Sequence, residues 1–366
     1  RDFADLAGSA DAGGLTGRNI IINGAMQVAQ RGTSDTGLGA TDGYFTLDRF
    51  KVAFGAASAG RFTMSQSTVT DLAGFSNALK LDCTTIDTSI AAGELFVLQH
   101  VLEGFNLQKL KASSTSTQAF TLSFYAKSNA SRAIATEFEF TNGTNRQISK
   151  LHTIGTSWAR YTMTVPAASS TQIDDDNSAE LTMSFWLHAG STYTSGTIND
   201  DALAPTTSAN RAPGIGSLFA STDNTLEITG VQLEVGQTAT PFEHENFGTT
   251  LAKCQRYYYY SGFGFNNPGG TDSGATDFEA RFMAMHIGSN RHTFFGNFPV
   301  FLRGLPTLTF YSPHDGASAN AESYGGGGNI AISASYSRSR HGLNGYSQTS
   351  SSLDALTAYV EANAEL

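Results

Sequence analysis

Apolar and polar side chains alternate at every second position in several stretches of the chain. In one stretch, Phe120, Leu122 and Phe124 alternate with Thr121 and Ser123. Successive side chains of a strand point to opposite faces, so this pattern predicts a half-buried antiparallel strand. The same alternation occurs in residues 50–54, 79–83, 134–140 and 181–187. Clusters of Gly, Ser, Thr, Asn and Asp separate these stretches, a spacing typical of a sandwich or jelly roll.

One alternating stretch changes parity in its middle. Leu226 and Ile228 occupy even positions, whereas Val231 and Leu233 occupy odd ones, and Gly230 lies at the change. A β-bulge at Gly230 would keep both sets of apolar side chains on the core face. Two short strands that meet at a bend are the alternative.

The alternation is interrupted once, and this divides the chain. Pro241 ends the first alternating region, and a second region begins at Phe278. Between them, residues 251–260 predict a short helical turn that leads into a tyrosine-rich strand. The last residues, 356–366, have helix-favouring Ala and Glu, but we expect a final strand there because β-rich segments surround them.

The sequence therefore predicts an all-β protein: a jelly-roll β-sandwich followed by a second, smaller β-sandwich domain, with a short N-terminal connecting segment. The expected boundaries are 1–18 for the connecting segment, 19–245 for the jelly roll and 246–366 for the C-terminal domain. Residues 1–16 contain few bulky apolar side chains. Such a segment is either flexible or ordered by a partner.

Composition supports the β assignment and excludes some partners. Charged residues make up only 15% of the chain, and the net charge is −10. Nucleic acids and anionic membranes attract basic surfaces, so we expect neither as a partner. No apolar run reaches the length that spans a bilayer, so we expect no membrane insertion.

Cys83 and Cys254 are expected to be two buried thiols, although a disulfide between them stays open.

Acidic side chains supply the catalytic and metal-binding candidates in the sequence. Glu137 and Glu139 share one face of a predicted strand, roughly 6.5–7 Å apart, a separation that overlaps that of inverting glycosidases. Two solvated glutamates are the more ordinary interpretation. Asp174, Asp175 and Asp176 could hold Ca²⁺, but a solvated acidic turn is more common. The histidines and cysteines have no zinc-site spacing, and we expect no cofactor.

Aromatic and amide side chains of the C-terminal region give the stronger signal. Four successive tyrosines in a strand point to both faces, so about two of them are expected at an exposed surface or an interface. Exposed rings stack on sugars, and amides hydrogen-bond to sugar hydroxyls. Packing against a neighbouring domain or subunit is the alternative for each ring. The candidate receptor- or glycan-binding residues are Tyr257, Tyr259, Phe263, Phe265, Asn266, Asn267, Tyr311, His314 and Tyr324.

Three separated motifs resemble one family. Residues 17–32 read GRNIIINGAMQVAQRG, residues 42–50 read DGYFTLDRF, and residues 227–260 read EITGVQLEVGQTATPFEHENFGTTLAKCQRYYYY. In this order they resemble the tail-fibre and receptor-binding proteins of tailed bacteriophages, which contain a jelly roll similar to carbohydrate-binding modules. Ala29 and Phe50 depart from the family pattern, which has an aromatic residue and Trp at these positions.

The resemblance implies a virion protein of the tail fibre, assembled in the host cytoplasm and mediating host attachment. It implies a homotrimer that contacts other tail or virion proteins through its N-terminal segment. The partner at the tip would be a host surface glycan or an outer-membrane protein. Binding rather than catalysis would be the activity, so we expect no enzyme. A glycan depolymerase tailspike and a purely structural tail or capsid adaptor are the alternatives.

Overall fold

The structure is a computed structural model that describes residues 17–56, 58–169, 171–264, 267–270, 282–288, 291–323, 328–348 and 355–366. The described chain is almost entirely β, in antiparallel sheets, which confirms the predicted fold class. Its helices are short: three 3₁₀ helices at Gly104–Leu110, Ser208–Asn210 and Leu218–Ala220, and two α-helices at Ser191–Thr194 and Phe247–Gln255. Among the described residues no helix has the length and apolarity to cross a membrane. The predicted connecting segment lies mostly outside the described residues.

The chain divides into two compact units. Unit 1 consists of the described part of Arg1–Gln27 together with Thr33–Asn246 and Leu366. Unit 2 consists of Val28–Gly32 and Phe247–Glu365. The short segment Val28–Gly32, which the sequence placed inside the jelly roll, therefore belongs to unit 2.

The first sheet of unit 1 has six antiparallel strands. Their spatial order is β1 (Ser34–Leu38), β3 (Arg61–Thr68), β4 (Asn77–Thr85), β15 (Thr225–Val235), β8 (Phe120–Ser128) and β11 (Ala159–Val165). A small three-stranded sheet, β12 (Ala168–Ser169), β7 (Ser116–Thr117) and β6 (Lys111–Ser113), accompanies it.

The second sheet of unit 1 also has six antiparallel strands. Their order is β14 (Ala204–Pro205), β10 (Arg146–Ile154), β9 (Arg132–Phe140), β13 (Ala179–Ala189), β5 (Leu95–Glu103) and β2 (Lys51–Gly55). Consecutive strands often lie in different sheets, as in a jelly roll. Rings join the two sheets: Phe62 of β3 stacks on Phe96 of β5 at 4.7 Å, and Phe120 of β8 meets Phe138 of β9 edge-on at 5.1 Å.

The parity change in β15 is a β-bulge, the first of the two alternatives that the sequence left open. The register between β15 and β8 shifts between Thr229 and Gln232. Gly230 has a φ of +59°, and a Cβ atom there would lie 2.7 Å from the Phe75 ring and 2.8 Å from the Tyr125 ring. Glycine is needed at this position because the backbone is left-handed and two aromatic rings close over it.

Unit 2 is built around one antiparallel sheet. Its order is β21 (Asn329–Ala331), β20 (Asn320–Ser323), β24 (Ala355–Asn363), β17 (Phe282–Gly288), β18 (Arg291–Asn297), β23 (Gly342–Gln348) and β22 (Ser333–Arg338), and β16 (Tyr258–Tyr260) and β19 (Thr307–Tyr311) also pair with β24. The predicted helical turn before the tyrosines and the final strand are both present. Apolar side chains of β24, among them Leu356, Ala358 and Val360, lie in the core of this unit.

Both cysteines are free and buried, as expected from the sequence. Cys83 lies in unit 1 and Cys254 in unit 2. Asp48 and Arg49, part of the second family motif, are completely buried in unit 1.

Candidate functional site

The four tyrosines that follow the helix Phe247–Gln255 are not exposed. Tyr257, Tyr258 and Tyr260 are at most 1% exposed, and Tyr259 is half-buried. None of the four rings is therefore exposed, and the interface, the other possibility in the sequence-based expectation, stays a prediction. The reason is that both faces of β16 are covered: Tyr259 packs on the apolar core and lies 5.7 Å from Phe298, while Tyr258 and Tyr260 pack on the opposite face.

A cluster of tyrosines covers that opposite face. Tyr258, Tyr260 and Tyr359 form its buried part, and the half-buried Phe263 and Tyr311 pack against them. The Tyr311 hydroxyl donates a hydrogen bond to Glu361 Oε2 at 2.6 Å. Burial raises the pKa of Tyr260, and burial together with the hydrogen bond to Glu361 raises the pKa of Tyr311. Both phenols therefore stay neutral hydrogen-bond donors at physiological pH.

Two loops meet beside this cluster. A Cβ atom on Gly316 would lie 2.1 Å from the Gly269 carbonyl oxygen, so the first loop, described at 261–264 and 267–270, and the second loop, at 312–318, approach each other closely. The Asn267 carbonyl accepts a hydrogen bond from the Tyr260 hydroxyl at 3.2 Å. His314 is exposed in the second loop, and Asn267 is exposed in the first. We call these two loops with the rings of Phe263 and Tyr311 the paired-loop surface.

The paired-loop surface brings together four of the candidates from the sequence: Phe263, Asn267, Tyr311 and His314. Tyr257 is completely buried and is removed from the candidates, and Tyr259 packs on the apolar core. Phe265, Asn266 and Tyr324 lie outside the described residues.

The second of the two loops is held in a defined turn. Asp315 Oδ1 accepts a hydrogen bond from the Ala317 backbone N–H at 2.9 Å, and the Asn329 amide donates to Asp315 Oδ2. These hydrogen bonds lower the pKa of Asp315. The exposed carboxylate is thus ionised and shapes the turn that presents His314.

The segment Val28–Gly32 also adjoins this surface, which the sequence reasoning missed. A Cβ atom on Gly32 would lie 3.3 Å from the Asn267 side chain. Gln30 Nε2 donates to the Tyr258 carbonyl at 2.7 Å, and Arg31 forms an ion pair with Glu365 at 3.3 Å. No local pattern in the sequence signals this proximity, because Gln30 and Tyr258 are 228 positions apart.

In unit 1, the outer face of the second sheet is covered by the connection between β13 and β15. Trp186 and Ala135, on the outer face of the second sheet, pack against Ala212, Tyr193 and Ile215 of the connection between β13 and β15. The Trp186 ring lies 5.3 Å from that of Tyr193. The connection therefore covers Trp186 and Ala135 on this sheet face.

The connection between β13 and β15 also carries Arg211, which binds both glutamates of the pair found in the sequence. Arg211 donates to both oxygens of Glu137 at 2.8 Å and to Glu139 at 2.7 Å, and Trp186 Nε1 donates to Glu137 at 2.8 Å. Glu137 is completely buried. Burial raises its pKa, and the Arg211 guanidinium opposes this rise. The prediction of a wet strand face is wrong at Glu137, because the covering connection supplies Arg211 as its ion-pair partner.

The acidic turn at Asp174, Asp175 and Asp176 does not assemble a set of converging oxygen ligands among the described residues. Asp174 and Asp175 are exposed. The Asp176 carboxylate accepts hydrogen bonds from the backbone N–H and the hydroxyl of Ser178 at 2.8 and 3.1 Å. These contacts are those of a solvated turn, the more ordinary of the two interpretations.

No protein-family model matches the sequence, and no curated protein matches it. Solved structures of limited similarity include the enzymatically active domain of bacteriophage CBA120 tailspike protein 4, which is 11% identical with a TM-score of 0.30 over 60% of this chain. The chain spans only 22% of that tailspike chain.

Two further structures of limited similarity are carbohydrate-binding modules. A CBM4 module is 13% identical with a TM-score of 0.30, over 59% of this chain and 99% of the module. TmCBM61, solved in complex with beta-1,4-galactotriose, is 9% identical with a TM-score of 0.29, over 60% of this chain and 99% of the module. Similarities this low assign the chain to no family and to no ligand.

Proposed function

We propose that this chain is a tail-fibre or receptor-binding protein of a tailed bacteriophage that attaches the virion to its host by binding a surface glycan at the paired-loop surface. The observation that carries the proposal is the convergence of Phe263, Asn267, Tyr311 and His314 on two adjoining loops. Half-buried rings offer apolar area at a low cost in conformational entropy, and exposed amide and imidazole groups orient hydroxyls.

The covered outer face of the second sheet in unit 1 favours a location in unit 2. In unit 1 the outer face of the second sheet is packed against the connection that carries Tyr193 and Arg211. A saccharide would have to displace a buried ion pair to reach Trp186 there. Loops at the edge of unit 2 can vary without disturbing the sheet, which suits a surface that must match a particular host.

The assembly and activity follow from the family resemblance. We propose a homotrimer, located in the virion, in which three weak sites act together by avidity, and an N-terminal segment that contacts other virion proteins. We propose binding without turnover, because the one carboxylate pair found by sequence is held by Arg211.

The test uses the full-length protein. A fluorescently labelled sample is applied to an array of bacterial surface polysaccharides and to whole bacterial cells, and reducing sugar is measured in parallel. Binding to a polysaccharide without release of reducing sugar supports the proposal. Release of reducing sugar indicates the depolymerase alternative, cell binding without polysaccharide binding indicates a protein receptor, and binding to neither indicates a structural adaptor.

The trimer is tested separately by light scattering. The proposal predicts a mass of about three times the 38.8 kDa of one chain. A stable monomer at micromolar concentration would contradict the trimer. The array experiment tests glycan binding separately from the oligomeric state.

A further inference from the structure

Three buried metal-ligating side chains converge where strands of the unit 1 sandwich end. Asp87 follows β4, Glu94 precedes β5, and His188 is near the end of β13. One ligand atom from each residue lies within 4.8 Å of the other two. The exposed fractions are 5% for Asp87, 4% for Glu94 and 0% for His188. The cluster is far in sequence from the acidic turn and uses none of its residues.

The charges of this cluster are not balanced by the side chains around it. Two carboxylates face one imidazole, and within the described part of the chain neither carboxylate is paired with Lys or Arg. Glu94 Oε2 lies 3.2 Å from His188 Nε2. A buried carboxylate is costly unless it is paired or bound to a metal. A divalent cation would neutralise both carboxylates.

Neighbouring groups hold the three side chains in place. Asp87 Oδ2 accepts hydrogen bonds from the Ser58 hydroxyl at 2.7 Å and the Ala59 N–H at 2.8 Å. His188 Nδ1 lies 2.8 Å from the Ser217 hydroxyl, which directs Nε2 toward Glu94 at 3.2 Å. Hydrogen bonds of this kind orient the ligands of metal sites and select the histidine nitrogen that binds.

We propose that Asp87, Glu94 and His188 bind one divalent transition-metal ion, and that Zn²⁺ fits best. Zinc–nitrogen and zinc–oxygen bonds of about 2.0–2.2 Å place neighbouring ligand atoms about 3.3 Å apart in a tetrahedron. The distance of 3.2 Å between His188 Nε2 and Glu94 Oε2 matches this spacing. One imidazole with two carboxylates suits zinc, whereas Ca²⁺ takes six to eight oxygens.

A metal here would have a structural role in unit 1. It would tie the connection between β4 and β5 to the end of β13, because Asp87 and Glu94 come from the connection and His188 from the strand. Water would complete the coordination at the fourth position. The proposal is independent of glycan binding, since it involves no residue of the paired-loop surface.

The test is calorimetric titration of ZnCl₂ into the full-length protein, without a histidine tag and after treatment with a chelator. We expect one Zn²⁺ per chain and a higher melting temperature of unit 1 in its presence. Glu94→Gln and Asp87→Asn should abolish this binding. Ser217→Ala should weaken it by about 10–100-fold, as expected for a residue that orients a ligand. Asp174→Asn, in the solvated acidic turn, is the matched control and should leave it unchanged.

X-ray absorption on the zinc-loaded wild type keeps the test informative if the variants fail to fold. One imidazole with oxygen ligands in the spectrum supports the assignment. No binding by the wild type, a spectrum with several imidazoles, or binding that persists in folded Glu94→Gln and Asp87→Asn would overturn it. In any of those cases His188 and Glu94 form a buried hydrogen-bonded pair without a metal.

Discussion

The guanidinium carbon of Arg31 lies 3.5 Å from the centroid of the Tyr258 ring. Arg31 also forms an ion pair with Glu365 at 3.3 Å, and the side chains of the pair are 9% and 5% exposed. One arginine near the beginning of the chain thus connects the tyrosine strand β16 to the end of the chain. This is the physical reason why Val28–Gly32 belongs to unit 2.

Arg31→Ala should lower the free energy of unfolding of unit 2 by about 3 kcal/mol. The variant breaks a buried ion pair, which costs about 3–5 kcal/mol when one partner is removed, and a stacked cation–π contact. Calorimetric melting should show a lower transition for unit 2. Trp158 and Trp186 both lie in unit 1, so the transition followed by tryptophan fluorescence should not move.

The matched control is Arg338→Ala, which removes an exposed arginine of unit 2. Its effect should stay within about 0.5 kcal/mol, as for most surface substitutions. Equal effects of the two variants would contradict the structural role of Arg31.

Arg211→Ala should destabilise unit 1 by about 3–5 kcal/mol. The substitution leaves the completely buried Glu137 without its bidentate partner, and an uncompensated buried charge is costly. Denaturant unfolding followed by the fluorescence of Trp186, which contacts both residues, measures the change. The double variant Glu137→Gln with Arg211→Ala should recover part of the loss.

Lys80→Ala serves as the comparison, because its ion pair with Asp82 is solvent-exposed. Exposed pairs contribute about 0–1 kcal/mol. A loss in Arg211→Ala no larger than that in Lys80→Ala would mean that the connection does not cover Glu137 in solution.

Gly230→Ala should cost about 1–3 kcal/mol, because alanine is strained at a left-handed φ and its Cβ would meet the Phe75 and Tyr125 rings. Gly155→Ala is the matched control, since nothing lies within 4 Å of a Cβ there, and it should be neutral or slightly stabilising. Midpoints of denaturant unfolding compare the two. A neutral Gly230→Ala would argue against the bulge.

The contribution of His152 to the stability of unit 1 should be lost as the pH falls from about 6.5 to about 4. Burial, together with the charge of Lys150, lowers the pKa of His152 to about 4. The unfolded chain takes up a proton on this imidazole near its ordinary pKa of about 6.5, and the folded chain does not. The stabilisation is therefore complete above pH 6.5 and declines below it. His152→Gln should remove this part of the pH dependence, measured by unfolding midpoints at several pH values.

Much of the fold could be predicted from the sequence because strand formation leaves a local signal. The alternation of Phe120, Leu122 and Phe124 marks β8, and the parity change at Gly230 marks the bulge of β15. Both depend only on which side of a strand each residue faces. The last strand was predicted from the β-rich segments around it, against the helix propensity of its Ala and Glu residues.

The candidate sites could be predicted only in part, because burial depends on segments that are distant in the chain. Glu137 was expected on a wet face because its strand alone does not show that Arg211 covers it. Asp87, Glu94 and His188 have no metal-site spacing, because their convergence is produced by the sandwich. Two of the tyrosines were expected at an exposed surface or an interface, because period-two alternation does not reveal that both faces of β16 are packed.

We propose that the surface glycan is bound at the paired-loop surface. The most direct measurement is the dissociation constant of the full-length protein for the polysaccharide identified on the array, compared with that of the double variant Phe263→Ala, His314→Ala. The control is Phe105→Ala, which removes an exposed ring of unit 1. We expect the double variant to bind at least about tenfold more weakly, a difference of about 1.4 kcal/mol. The control should bind as tightly as the wild type. Unchanged binding by the folded double variant, or a loss in the control alone, would contradict this proposal.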